Sequence, residues 1–272
     1  MQSQQPAPMT ECASSKWGAS DMSLICFASQ KGSPGTTLTA LTVAAAWPGT
    51  DEHRRVFVEA DRAGGALALR YGIGTEPGLL TLAAAVRSDP AVDLRAHAQP
   101  IPGGLPAVIG PDSPAQVEAT LAAAGDSLGK WLGEQDGTAI TDIGRLESAG
   151  TSHPFIAHAT TVAVVARPVA EQLQPAVHTV RRLGLETDRV GWVLIGDQPH
   201  GVAEVEATFN IPVLGVVAAD RRTADALSTG NGGRRVDKSA LVRSAATLAE
   251  ALAARQHPTG PLTSAALNGV SA

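Results

Sequence analysis

Residues 30–37 have the residue types of a phosphate-binding loop. They follow an apolar run at residues 24–29 and lead into an Ala/Leu-rich run at residues 38–47. In a strand, glycine-rich loop and helix, successive backbone N–H groups face one concavity, and the helix N-terminus adds roughly half a positive charge. The segment therefore indicates a phosphate site, although its glycines and proline could also form only a sharp connection.

The loop lacks a lysine at the position where such loops usually carry one. The common pattern G-x-x-x-x-G-K-[ST] has a lysine directly after the second glycine, whereas Gly35 is followed by Thr36 and Thr37. The loop's own lysine, Lys31, comes earlier. The Thr37 hydroxyl could cap the following helix, coordinate Mg²⁺, or do both. The sequence thus predicts a phosphate cradle without its usual cation.

Carboxylates follow two further predicted strands. Glu59 and Asp61 come after the second strand, where two acids beside a phosphate loop could place a water or a metal. An ordinary polar loop with a helix cap is the alternative explanation. Asp142 ends another apolar strand, which is the arrangement that holds Mg²⁺ near a phosphate loop, although an acid there could also be only a cap.

Two later turns are polar at the same edge of the predicted sheet. Asp197 lies in the first turn, and Ala218 and Asp220 lie in the second. Ligands of parallel sheets bind beyond the carboxyl ends of the strands. These turns would therefore flank a base or ribose if phosphates occupy the first loop; otherwise they are capped turns.

Short β-branched runs alternate with longer Ala/Leu-rich stretches, which predicts an α/β fold with a doubly wound, mostly parallel sheet and helices on both faces. We expect a flexible leader at 1–21, one domain at 22–256 and a disordered tail at 257–272. The predicted strands are 24–29, 55–59, 105–109, 138–142, 161–166, 191–195 and 213–217. The predicted helices are 37–46, 77–88, 114–132, 170–183, 202–209, 222–228 and 238–255.

Composition excludes several classes of protein. The net charge of -5 argues against a protein that coats nucleic acid with its whole surface. The two cysteines, Cys12 and Cys26, are not expected to form a disulfide framework, and no apolar stretch reaches the ~18 residues that span a bilayer. We expect a cytoplasmic protein. The histidines lack metal-site spacing, and His153 and His158 are expected on a solvated surface.

Taken together, these segments resemble the ParA/MinD group of deviant Walker-A ATPases, a class of P-loop proteins, over roughly residues 23–255. Residues 30–37 are similar to the family's QKGGVGKT loop, with Lys31 on the signature lysine that reaches a dimer partner's nucleotide. Asp61 matches an acid linked to water positioning, and Glu59 replaces the first acid of the family's D-x-D. Asp142 matches the Walker-B acid, and residues 211–220 are close to the family's adenine-contacting segment.

The resemblance implies ATP or ADP with Mg²⁺ as cofactors. It assigns Lys31 and Asp61 catalytic roles and makes Thr37 and Asp142 the metal ligands. Thr36 stands where the family has its catalytic lysine, so hydrolysis is expected to be slow or absent. The implied nucleotide-binding residues are Gln30, Lys31, Gly32, Ser33, Pro34, Gly35, Thr36, Thr37, Leu38, Asp197, Ala218 and Asp220.

The family's biology implies a switch protein that forms a homodimer with ATP and positions or regulates a larger assembly through a protein partner. One alternative is a nucleotide-independent scaffold, like the TadZ/CpaE proteins of pilus and secretion systems. Another is a DNA-partitioning ATPase that binds DNA non-specifically through a late basic segment. A solvated face would also explain that segment, and no membrane insertion is expected. The basic residues are Arg221, Arg222, Arg234, Arg235, Lys238 and Arg243.

Overall fold

An eight-stranded sheet runs through the middle of the protein. The computed structural model describes residues 23–32, 34–49, 55–89, 91–148, 151–230 and 234–256. The strands of the described chain are β1 Ser23–Ser29, β2 Arg55–Glu59, β3 Gln99–Ile101, β4 Leu105–Val108, β5 Thr138–Arg145, β6 Glu147–Ser148, β7 Thr151–Ser152, β8 Thr161–Ala166, β9 Val190–Ile195 and β10 Val213–Val217. The helices are α1 Thr36–Ala45, α2 Leu67–Tyr71, α3 Leu79–Ser88, α4 Pro114–Gly133, α5 Ala170–Arg182, α6 Val202–Phe209, α7 Arg221–Ser228, α8 Arg234–Asp237 and α9 Ala240–Gln256, with 3-10 turns at Leu94–His97 and Pro154–Ala157.

The strand order is β10-β9-β8-β1-β5-β2-β4-β3, and β6 and β7 pair separately. All pairs of the large sheet are parallel except the edge pair of β3 with β4. The chain leaves β1 to reach β2 two places away, whereas β8 lies on the other side of β1. The carboxyl end of β1 is therefore a point where the winding reverses, which is where such sheets bind ligands.

The sheet carries a hydrophobic core on each face. All seven residues of β1 are buried; Leu24, Cys26 and Ala28 pack into one core with α3, α4 and α5. Its alternate residues Ile25 and Phe27 pack into the other core with α1 and α9. Side chains of a strand alternate between faces, so continuous apolar runs are required when both faces are covered. The predicted doubly wound α/β fold is confirmed.

Each of the seven predicted strands and seven predicted helices exists, with small shifts at its ends. The most consequential shift is in β5, which continues to Arg145 instead of ending at Asp142. The five-residue helix α2, the edge strand β3, the β6–β7 pair and α8 were not predicted, because they are too short to give a periodic pattern. The predicted leader at 1–21 and tail at 257–272 lie outside the described residues.

No helix in the described part of the chain combines the length and apolar character needed to cross a membrane.

Candidate functional site

The loop after β1 has the backbone of a phosphate cradle. Gly32 has φ +82° and Gly35 has φ +101°, and α1 begins directly after Gly35. Gly35 is the N-cap residue, and no side chain among the described residues caps α1, so the predicted capping role of Thr37 is wrong. The first amides of α1 are left for a ligand or for water. Ser33 lies outside the described residues.

Gln172 of α5 packs against this loop. Gly32 has a positive φ, which favours glycine, and a Cβ there would lie 2.6 Å from Gln172 Nε2, so a larger residue would also displace the end of the Gln172 side chain. Gln172 Oε1 accepts a hydrogen bond of 2.7 Å from the backbone N–H of Arg167, which follows β8. One side chain thus connects the loops after β1 and β8.

A cavity of about 720 Å³ opens at the carboxyl end of the sheet. Residues 34–39 line it together with residues 217–221 from the end of β10 and the start of α7. Asp61 and Gly144 also line it, so the loops after β1, β2 and β10 and the end of β5 meet at one site. Its charged lining residues in the described chain are Arg70, Arg145, Arg167, Arg221, Asp61, Asp220 and Asp225.

Asp142 is fully buried between β1 and β2, where it lies in register with Phe27 and Glu59. Its Oδ1 accepts a hydrogen bond of 2.9 Å from the Gly144 N–H. Its Oδ2 is buried and has no hydrogen-bond partner of normal geometry among the described residues. Burial raises the pKa of Asp142 to about 7, although the Thr37 hydroxyl and the Gly144 amide lower it.

Thr37 and Asp142 fit a Mg²⁺ ion by their chemistry. A hydroxyl and an unpaired carboxylate oxygen are hard oxygen donors of the kind that Mg²⁺ prefers, and the ion usually keeps waters and takes phosphate oxygens. The described residues contain no group of three or more His, Cys, Asp or Glu side chains that could hold a metal. A Mg²⁺ ion here would therefore complete its coordination with waters and with oxygens of a bound phosphate.

Asp61 lies in the turn after β2. Its Oδ1 accepts a hydrogen bond of 2.8 Å from the Ala63 N–H. Burial raises its pKa, whereas that hydrogen bond and the charge of Arg145 lower it. The Asp61 carboxyl in turn helps to raise the pKa of Asp142, so the two acids are electrostatic neighbours.

Glu59 is held by backbone amides. Oε1 accepts hydrogen bonds from the N–H groups of Ala66 at 2.7 Å and Leu67 at 3.1 Å, at the start of α2. Oε2 accepts one from the Gly110 N–H at 3.1 Å. Of the two predicted uses of this carboxylate, helix capping is the one observed; both oxygens already have donors.

The prediction of a solvated surface for His153 is wrong. His153 is 1% exposed, its Nε2 lies 3.0 Å from the Ala60 carbonyl oxygen, and its Nδ1 accepts a hydrogen bond of 3.3 Å from the Phe155 N–H. These contacts assign the neutral tautomer with its proton on Nε2. Burial lowers the pKa of His153 to about 3. His158 does reach solvent, and its Nε2 lies 2.8 Å from Asp126 Oδ1.

Asp220 caps α7. Its carboxylate accepts hydrogen bonds from the Thr223 N–H at 3.1 Å and the Thr223 hydroxyl at 2.7 Å, which lower its pKa. Ala218 is fixed by its N–H, which donates to Ser244 Oγ at 2.9 Å. Both residues line the cavity, whereas the exposed Asp197 does not.

No protein-family model matches the sequence, and no curated protein matches it. Among solved structures, a ParA family ATPase from Chlorobium tepidum TLS aligns with a TM-score of 0.67 at 17% identity, covering 84% of this chain and 98% of that chain. The chain has the ParA/MinD fold. MinD from Pyrococcus horikoshii OT3, solved with Mg-ADP, aligns with a TM-score of 0.66 at 14% identity, covering 85% of this chain and 95% of that chain. The structure of the MinC:MinD cell division complex of Aquifex aeolicus aligns with a TM-score of 0.61 at 13% identity, again covering 85% of this chain and 95% of that chain.

Within this ParA/MinD fold, Lys31 is exposed and does not line the cavity of its own chain, and neither do Gln30 and Gly32. In the late basic segment Arg222, Lys238 and Arg243 are exposed, and Arg221 lies 4.0 Å from Asp225. The Arg234 and Arg235 side chains lie outside the described part. DNA contact through this surface stays a prediction.

Sequence reasoning did not identify Arg70 or Gln172, and it placed the buried His153 on the surface. Arg70 belongs to α2, which is too short for a periodic pattern. Gln172 and His153 are placed by contacts to residues far away in the chain. The glycine at position 32 was a signal that another group could approach the loop closely, but it did not identify Gln172 as that group.

Proposed function

We propose that this chain is a nucleotide-binding switch protein of the ParA/MinD type that binds ATP or ADP with Mg²⁺. The observation that carries the proposal is the cavity of about 720 Å³ that joins residues 34–39 to residues 217–221. Its volume is within the range of small-molecule sites. The Mg-ADP held by the Pyrococcus horikoshii MinD, which has the same fold, supports a nucleotide as its ligand.

In this proposal the backbone N–H groups of residues 35–37 hold the phosphates, and Ala218 and Asp220 flank the base. Thr37 and Asp142 hold Mg²⁺, which would neutralise phosphate charge. Asp61 is adjacent, in a position to orient a water. Gln30, Gly32, Ser33, Leu38 and Asp197 remain predicted contacts.

The proposal assigns Lys31 to a partner's nucleotide in an ATP-dependent homodimer. Its exposure, and its absence from the cavity lining of its own chain, support a role across an interface. The output of such a dimer would be the positioning or regulation of a larger assembly through a protein partner. The MinC:MinD complex is an example of a protein partner for this fold.

Hydrolysis is proposed to be slow or absent because Thr36 is neutral. A cation at this position stabilises charge during phosphoryl transfer, and removing one such group typically costs about 10²- to 10³-fold in turnover. Thr36 is buried, and its Oγ1 has no hydrogen-bond partner among the described residues. A hydroxyl can still donate one hydrogen bond to a phosphate oxygen.

A fluorescent ATP analogue titrated into the full chain, with Mg²⁺ and with EDTA, tests the proposal. We expect saturable binding that weakens without Mg²⁺. Absence of binding at high micromolar nucleotide in both conditions would reject the switch function.

The neutral Thr36 also favours a second candidate, a scaffold whose contacts ignore nucleotide. Light scattering on the wild type and on Lys31→Ala, with and without ATP, separates the two. The switch predicts a dimer that needs both ATP and Lys31. The scaffold predicts an oligomeric state that changes neither on addition of ATP nor on substitution of Lys31.

A further inference from the structure

The proposed nucleotide site has a deficit of positive charge at the start of α1. Thr36 occupies the position of a lysine that normally reaches the β- and γ-phosphates. Backbone amides carry only partial charges, and one Mg²⁺ does not neutralise a triphosphate. Lys31 does not line the cavity of its own chain and would reach the phosphates only across the proposed dimer, so a cation that balances them within one chain has to come from another lining residue.

The described lining of the cavity offers four arginines. Arg221 is a poor choice, since its side chain is 95% exposed and lies 4.0 Å from Asp225. Arg145 and Arg167 are exposed as well, so water can hydrate their guanidinium groups. Each of these guanidinium groups is stable without a bound anion.

Arg70 differs from the other three. It is half-buried, and its Nη1 is buried without a hydrogen-bond partner among the described residues. Burial raises the pKa of Glu59, and the Arg70 charge is close enough to oppose that rise. Both oxygens of Glu59 already accept backbone hydrogen bonds, and no ion pair forms between the two side chains. Burying a guanidinium N–H without an acceptor destabilises the fold, and a bound anion that accepts its hydrogen bond removes that cost.

The position of Arg70 is fixed relative to the phosphate loop. Glu59 holds the first turn of α2 through the amides of Ala66 and Leu67. At the other end of α2, Tyr71 lines a second cavity together with Leu38, from the first turn of α1. Arg70 itself lines the main cavity with residues 34–39. The end of α2 is therefore placed beside the start of α1.

We propose that Arg70 supplies, from α2, the phosphate-binding cation that Thr36 does not provide. The guanidinium fork matches phosphate oxygens in a bidentate geometry that a lysine cannot make. The inference rests on the proposed nucleotide binding and assigns a binding residue for it.

A double-mutant cycle in the full chain tests the assignment, with Mg²⁺ and a fluorescent ATP analogue as the probe. Arg70→Ala should weaken binding roughly 10- to 100-fold, as expected for a lost charge-assisted hydrogen bond. Thr36→Lys should restore a cation, so that the same Arg70→Ala change costs less than about threefold in that background. Arg70→Gln keeps part of the aliphatic stem without the charge and replaces Arg70→Ala if that variant unfolds in a thermal melt. Arg87→Ala, on α3 and outside the cavity, controls for loss of net charge.

The assignment is overturned, with nucleotide binding intact, by wild-type affinity in Arg70→Ala and Arg70→Gln, or by a larger loss in Arg145→Ala or Arg167→Ala. A wild type that binds no nucleotide, beside a Thr36→Lys protein that does, rejects both the proposed function and the role of Arg70. Equal losses from Arg70→Ala in both backgrounds also overturn the replacement role.

Discussion

Gly144 has no side chain at the place where the Asp61 carboxylate lies. A Cβ at position 144 would overlap Asp61 Oδ1, and Gly144 also has φ +67°. The register between β1 and β5 shifts by one residue at this point, an irregularity of the β-bulge kind. The Gly144 N–H donates to Asp142 Oδ1. One glycine therefore sets the positions of two acids of the site.

Gly144→Ala should destabilise the protein and weaken Mg-ATP binding. The positive φ costs about 1 kcal/mol, and the overlap with Asp61 adds roughly 1–3 kcal/mol. Gly184→Ala is the matched control, because Gly184 has φ +63° and nothing lies within 4 Å of a Cβ there. Urea unfolding and nucleotide titration of both variants check the difference. Equal losses in the two variants would mean that Asp61 moves aside freely.

Glu59→Ala should destabilise the fold. It leaves the amides of Ala66, Leu67 and Gly110 without their acceptor. Each unsatisfied buried group costs about 1–3 kcal/mol, and water that enters the gap will recover part of the total. Urea unfolding should therefore show a loss of several kcal/mol.

Glu118→Ala is the control for this change. Glu118 is half-exposed and lies 3.8 Å from Arg62, so its loss should cost less than about 1 kcal/mol. If Glu59→Ala and Glu118→Ala have the same stability, the helix-capping role of Glu59 is refuted.

The sequence predicts elements well where a local pattern exists. The apolar run of β1 and the glycines at 32 and 35 carry their structural meaning within a few residues. The role of Glu59 does not: whether its oxygens are available depends on Gly110, which is 51 residues away. His153 shows the same limit, since its buried ring bonds the carbonyl of Ala60, which is 93 residues away in the chain. Such pairings depend on topology, which a single-sequence pattern does not contain.

His153 should make the protein acid-sensitive. Its pKa in the fold is about 3, below the ordinary value of 6.5, so the unfolded chain takes up a proton that the folded chain excludes. Its contribution to stability is complete above pH 6.5 and is lost as the pH falls toward 3. The slope approaches about 1.4 kcal/mol per pH unit between these values.

Denaturant unfolding between pH 7 and pH 4 measures this slope. His153→Gln keeps an N–H donor without the titration, so it should lose stability at pH 7 but show a shallower decline with acid. His158→Gln should keep the wild-type decline, because His158 reaches solvent. A wild-type decline in His153→Gln would assign the acid sensitivity to the carboxyl groups instead.

Asp142→Asn should separate Mg²⁺ binding from folding. Burial disfavours the charged form of Asp142, so a neutral side chain of the same size relieves a desolvation cost. The Asn oxygen can still accept the Gly144 N–H. We therefore expect the free energy of unfolding to stay within about 1 kcal/mol of the wild type or to rise. The affinity for an ATP analogue should become nearly the same with Mg²⁺ and with EDTA, whereas Asp126→Asn, whose side chain is 84% exposed, should keep the wild-type response to Mg²⁺. The oxygen that Asp142 offers to a metal is Oδ2, which has no hydrogen-bond partner among the described residues. If Asp142→Asn binds the analogue with the same response to Mg²⁺ as the wild type, Asp142 is not a metal ligand.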